Sequence, residues 1–99
     1  MQRNNMMANF QIKDFIETNN ISDTFIKSFR SLLEQNTCED LDIRHKNISI
    51  ETRNLDFELL NGDAIAFKSQ IDQDGNIIGY YRLVFALDGT LIDDFFVIY

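Results

Sequence analysis

Asn61-Gly62, Asp74-Gly75 and Asp88-Gly89 fall at near-equal intervals through the second half of the chain. Asn and Asp tolerate the left-handed backbone region and Gly enters it without steric cost. Each pair therefore suits a tight turn between two antiparallel strands. Apolar-rich runs flank all three turns, which predicts a four-strand meander over residues 47–99. In its first run the apolar parity changes from Ile48 and Ile50 to Leu55, Phe57 and Leu59. A strand cannot change parity without turning its side chains to the opposite face, so a bulge or break is expected near Thr52–Asn54.

The first half reads as helical. Ile12, Phe15 and Ile16 form a stripe on a helix expected over Phe10–Thr18, which Asn19-Asn20 ends. A second helix is expected from Ser22 as N-cap, with Asp23 in the first turn and Ile21 packed on Ile26 as a hydrophobic staple. Phe25, Ile26, Phe29, Leu32 and Leu33 then share one face, leaving Lys27, Ser28, Arg30, Ser31 and Glu34 toward water. Residues 37–46 are polar and read as the connection between helices and sheet. The prediction is one α+β domain over 1–99, with helices at about 10–36, the connection at 37–46 and the sheet at 47–99. Two N-terminal helices pack on a curved four-strand antiparallel meander, with Phe25, Phe29, Leu33, Phe67, Leu83 and Phe85 in one core.

A chain of 99 residues, 44% hydrophobic and 25% charged, can bury a core without staples. Its one cysteine, Cys38, makes no internal bridge, no apolar core of signal-peptide length follows Met1, and no run approaches the length of a membrane span. A cytoplasmic protein is expected. The net charge of -7 makes nucleic acid and anionic membranes poor partners. Residues 1–46 carry -1 of that charge and residues 47–99 carry -6, so the acidity belongs to the sheet. Such a surface either serves solubility or matches a basic partner, such as the active-site face of a nuclease.

In the last two strands both parities are apolar. Tyr81, Leu83, Phe85 and Leu87 oppose Ile78, Tyr80, Val84 and Ala86 around Arg82, and Leu91, Phe95, Val97 and Tyr99 oppose Ile92, Phe96 and Ile98. Two helices cover one face of a four-strand sheet, so a second apolar patch needs cover. Strong curvature of the sheet, Met6 and Met7 folding over it, a second copy, or a protein partner would each supply that cover. The partner surface expected here joins Tyr80, Val84, Phe96 and Ile98 to the acids Glu51, Glu58, Asp72 and Asp74.

No residues announce catalysis, a metal or a cofactor. Cys38 and His45 are a lone nucleophile and base in a polar connection. One His and one Cys make no transition-metal cluster. Asp72-Gln73-Asp74-Gly75-Asn76 has its glycine two positions too early for a calcium loop, with no closing Glu, and reads as a hairpin turn. Asp93 and Asp94 are adjacent and point to opposite faces of a regular strand. The enzymatic alternative needs one of them buried, with a raised pKa, beside Tyr81 or Tyr99.

The closing stretch from Gly79 to Tyr99, with its Tyr80-Tyr81 strand, Asp88-Gly89 turn and terminal Phe95-Phe96-Val97-Ile98-Tyr99, resembles the terminal hairpin of nuclear-transport-factor-like and ketosteroid-isomerase-like domains. The resemblance implies a cystatin-like cone of helix and curved sheet. In that fold the sheet often serves as a dimer interface or partner platform, and the cone sometimes holds a small ligand. It carries over no catalytic residue. The expected function is non-enzymatic: an acidic immunity or inhibitor protein, like the toxin-neutralising proteins of bacterial competition systems, that binds a basic toxin or nuclease domain. The alternative is a nuclear-transport-factor-like homodimer with a ligand pocket or isomerase-like activity.

Overall fold

The computed structural model describes residues 12–99; Met6, Met7 and the expected helix start at Phe10 lie outside them. In chain order come α1 over 12–18, α2 (Ile21–Gln35), α3 (Cys38–Leu41), β1 (Ile48–Ile50), β2 (Asp56–Leu60), β3 (Ala64–Gln73), β4 (Asn76–Ala86) and β5 (Leu91–Ile98). This is an α+β fold with a five-strand antiparallel sheet.

The meander is present with its first lane broken. β1 and β2 both pair with β3, through Ile50↔Ile71 and Phe57↔Phe67 among others. The break falls at residues 51–55 and restores parity, so Ile48, Ile50, Phe57 and Leu59 all share the face of Ile65, Phe67 and Ile71. Buried Ser69 stands in for the interrupted ladder. Its hydroxyl accepts the Glu51 N–H and donates to the Glu51 carbonyl, each at 2.9 Å.

Turn chemistry follows the sequence. Asn61-Gly62 and Asp74-Gly75 both have positive φ at both residues, the combination that continues the right-handed strand twist. At Asp88-Gly89 only Gly89 is left-handed, and the loop has three residues. The Ala86 N–H donates to the Thr90 carbonyl at 2.8 Å and the Gly89 N–H to the Ala86 carbonyl at 3.0 Å.

α2 starts earlier than expected. Ile21 is its first residue and is fully buried, and the N-cap is Asn20 in the left-handed region, without a side-chain cap. Ser22 is therefore neither cap nor neighbour to a staple; its hydroxyl donates to the Thr52 carbonyl at 3.4 Å. The physical reason is the tight α1–α2 junction, where Asn19 donates from both backbone and side chain to the Phe15 carbonyl. With the chain reversing that sharply, the next apolar residue enters the core directly. The connection also contains structure the sequence reading lacked. Thr37 and Asp40 form a reciprocal capping box on α3, which delivers Leu41 and then Ile43 into the core.

Helices and sheet meet through aromatic rings. Phe15 stacks on Phe67 with centroids 6.1 Å apart, and Phe67 meets Phe85 at 6.0 Å. Phe25 and Phe29 both contact Tyr81, at 5.9 and 5.4 Å. Tyr81 is fully buried, and its hydroxyl is hydrogen-bonded to that of Ser28. Burial raises the Tyr81 phenol above its ordinary value of 10.0, against the opposing effect of the Ser28 bond. A raised phenol contributes stability that is complete below the unfolded-state pKa and is lost as pH rises through the folded-state one. Wild-type protein should therefore lose stability above about pH 10, and Tyr81→Phe should lose less over the same interval. Urea midpoints taken across that range would show the difference, and parallel curves would contradict it.

Two bulges decide which side chains face the helices. One lies at Ile78, where the pairing steps from Asp72↔Ile77 to Ile71↔Gly79; it places Tyr81, Leu83 and Phe85 opposite Ser69, Phe67 and Ile65. The other lies at Ile92, where Phe85↔Leu91 steps to Val84↔Asp93. Without this extra residue, the Asp88-Gly89 turn would set Tyr81 opposite Phe95 and Tyr80 opposite Phe96. With it, Tyr81 faces Phe96 and Tyr80 faces Val97. A one-residue slip transfers every side chain of a strand to the other face. Phe96 and Ile98, expected on the outer face, therefore pack against the helix-side core, and Phe96 meets both Phe29 and Tyr81 at 6.4 Å. Phe95 and Val97 take their places outside.

Candidate protein-binding face

On the face away from α1 and α2, strand register lays out the side chains in rows. One row runs Asp56, Lys68, Arg82, Phe95; the next runs Glu58, Ala66, Val84, Asp93; on the other side of the first stand Gln70, Tyr80 and Val97. Small residues make the floor: Ala64, Ala66 and Val84 form a second buried cluster, with Leu60 against it. The rim encloses a cleft of about 310 Å³ lined by Asp56, Phe57, Glu58, Ala66, Lys68, Tyr80 and Arg82.

Lys68 and Arg82 are direct cross-strand partners, an unfavourable placement for like charges. Each cation is balanced locally. The Lys68 ammonium lies 5.2 Å from the Tyr80 ring centre and the Arg82 guanidinium 5.4 Å from that of Phe95. Arg82 Nη2 is also 3.8 Å from Glu58 Oε1, and Asp56 stands opposite Lys68. Tyr80 in turn lies 6.3 Å from the exposed ring of Tyr99. The result is a wet, charged cleft with aromatic walls, suited to receiving a polar or charged side chain.

Of the residues expected at this face, the structure brings together Tyr80, Val84 and Glu58. Asp72 shares their side of the sheet, toward the far end of β3 opposite Ile77. Glu51 and Asp74 are engaged elsewhere. Arg53 grips Glu51 through bonds of 3.0 and 2.8 Å and holds its carboxyl at about 2, below the ordinary 4.5. Asp74 lies 3.1 Å from His45 Nε2 and 3.6 Å from Arg44. Asp56, Lys68, Arg82 and Phe95 were missed. Lys68 and Arg82 both stand on the outer parity in the sequence, but that they face one another depends on the Ile78 bulge.

The chemical candidates separate. The His45 ring accepts the Asn47 N–H at Nδ1 (3.2 Å), which leaves Nε2 to donate to Asp74; half-buried Cys38 sits in α3. Asp74-Gly75 forms the turn joining β3 and β4, as expected. Asp93 and Asp94 are both exposed, and the Asp93 carboxylate accepts the Asp94 N–H at 2.8 Å, so neither has the burial that the enzymatic alternative requires. Among the described residues, no group of three or more His, Cys, Asp or Glu side chains is placed to hold a metal ion, and no helix is long and apolar enough to cross a membrane. Comparisons with protein-family models, curated proteins and solved structures found no match.

Proposed function

We propose that this chain is a non-enzymatic protein-binding domain, an acidic immunity or inhibitor protein that acts in a bacterial cytoplasm on a basic toxin such as a nuclease. One observation carries the reading: aromatic anchors Tyr80 and Phe95 stand on the face opposite the helices, among the carboxylates Asp56, Glu58 and Asp93, in a chain of net charge -7. Interface energy concentrates in such anchors, and surrounding charge acts mainly on association rate. The Lys68–Arg82 pair adds selectivity by repelling a partner whose cations are out of place.

The test asks whether a basic toxin domain is encoded beside this chain and, with that domain purified, combines the two. A stoichiometric complex and loss of toxin activity are expected. Tyr80→Ala and Phe95→Ala should each accelerate dissociation by about tenfold or more, and Glu58→Lys should slow association, with the deficit shrinking as salt rises. A stable dimer of the free chain and indifference to basic proteins would sink the inhibitor reading. That outcome would favour the alternative, a nuclear-transport-factor-like homodimer of the cystatin-like class whose 310 Å³ cleft holds a small ligand.

A further inference from the structure

β5 is a terminal strand of the sheet, and no described strand pairs with its far side. Register shows which of its backbone groups face that side. The Tyr99 N–H donates to the Ile78 carbonyl at 2.9 Å, and antiparallel pairs alternate between bonded and non-bonded. Phe95 and Val97, opposite Arg82 and Tyr80, thus direct their N–H and C=O toward β4. Asp94, Phe96 and Ile98 direct theirs outward. One of these three donors is already satisfied, because the Asp93 carboxylate accepts the Asp94 N–H. The N–H and C=O groups of Phe96 and Ile98 remain available among the described residues, beside half-exposed Phe95 and exposed Tyr99.

An open edge of this kind pairs with another strand unless something prevents it. A second copy is a poor occupant. Each chain carries -7, and two β5 edges in antiparallel contact would place two pairs of exposed carboxylates, Asp93 and Asp94 from each, along one seam. The same carboxylates select for the opposite charge, and none of the ion pairs among the described residues uses them. We propose that β5 receives an extended, Lys- or Arg-bearing strand of a partner protein, hydrogen-bonded at Phe96 and Ile98 with its cations beside Asp93 and Asp94. Main-chain bonding supplies affinity in strand addition, and alternate side chains supply specificity. Asp93 and Phe95 belong to both this edge and the outer face, so the rest of the partner would lie over the cleft. The inference rests on the binding reading above and assigns it a mode.

The test uses the ¹⁵N-labelled full chain and a blocked peptide of alternating Lys and Val, with the Glu-Val peptide as control. Saturating Lys-Val peptide should slow amide exchange at Phe96 and Ile98 by at least about tenfold, with little change at Phe95 and Val97, and the Glu-Val peptide should not. Ile98→Pro, which deletes one edge donor, should weaken binding. Asp94→Lys, at an exposed position that leaves the core intact, should weaken it as well and shift preference toward the Glu-Val peptide. Absence of added protection at Phe96 and Ile98 overturns the proposal, whether the peptide enters the cleft or fails to bind. So does protection that grows with protein concentration alone, which would show a second copy at the edge. A complex with the basic toxin domain that forms without edge protection removes only this mode; no complex at all removes the reading beneath it.

Discussion

Truncating Phe67 to Ala should destabilise the chain by about 3–5 kcal/mol, whereas the same change at Phe57, its direct cross-strand partner, should cost no more than about 1 kcal/mol. The two rings share one chemistry, one sheet face and one register position. They differ in burial: Phe67 is 0% exposed and Phe57 39%. Phe67 stacks on Phe15 of α1 and meets Phe85 of β4, so its removal opens a cavity where helix and sheet meet. Surrounding residues can fill that space only by moving α1, which Ile12 and Ile16 also hold against the core. Phe57 lies on edge strand β2 and gives up only partly buried area. Urea unfolding with an unchanged m-value gives both numbers. A loss below about 1 kcal/mol at Phe67 would mean that α1 and the sheet do not share a core.

What could be read in advance divides along the line between local and non-local information. Turn residues act locally, so Asn61-Gly62, Asp74-Gly75 and Asp88-Gly89 all mark real hairpins. The parity change between Ile50 and Leu55 is also local, and it marks the break between β1 and β2. Helical periodicity identified Phe25 and Phe29 as buried, although the start of α2 was displaced because the tight reversal at Asn19-Asn20 brings Ile21 directly into the helix without a side-chain cap. The Thr37–Asp40 capping box was legible as Thr-x-x-Asp and went unread because the segment is polar.

The candidate site depended on something else. Both parities of β4 and β5 are apolar, so hydrophobicity does not choose a face, and the choice falls to two single-residue bulges. Neither Ile78 nor Ile92 differs in chemistry from a regular strand residue. Residues whose face was set correctly, Tyr80 and Val84, precede the second bulge; Phe96 and Ile98, which follow it, were placed on the wrong side. The acids erred for a different reason. Glu51 is paired with Arg53, and Asp74 with Arg44 and, by a hydrogen bond, His45, a contact that joins the segment before β1 to the β3–β4 turn. The opposition of Lys68 and Arg82 likewise exists only once β3 and β4 are in register.

Gly79→Ala should be the most damaging single-methyl addition in the sheet, costing about 3 kcal/mol or more. Gly79 follows the Ile78 bulge and stands opposite Ile71 on one side and Ile98 on the other. A Cβ there would lie well inside the contact distance of the Val97 carbonyl oxygen and 2.9 Å from Ile98 Cα. Both obstacles are backbone, so no rotamer change relieves them. β5 would have to leave β4 at its C-terminal end, giving up the bond from the Tyr99 N–H to the Ile78 carbonyl and drawing Ile98 and Phe96 away from Phe29 and Tyr81. Gly75→Ala separates this effect from backbone strain: Gly75 has φ of 81° and nothing within 4 Å of an added Cβ, so only the left-handed conformation is penalised, by about 1 kcal/mol. Hydrogen exchange locates the damage. In Gly79→Ala the amides of Val97 and Tyr99 should lose protection well before that of Leu83, and any strand-accepting edge at Phe96 and Ile98 should lose its function with them. A variant that keeps Tyr99 protection and loses less than about 1 kcal/mol would show that β5 does not pass so close to Gly79, and the register that places Phe95 outside and Phe96 inside would fail with it.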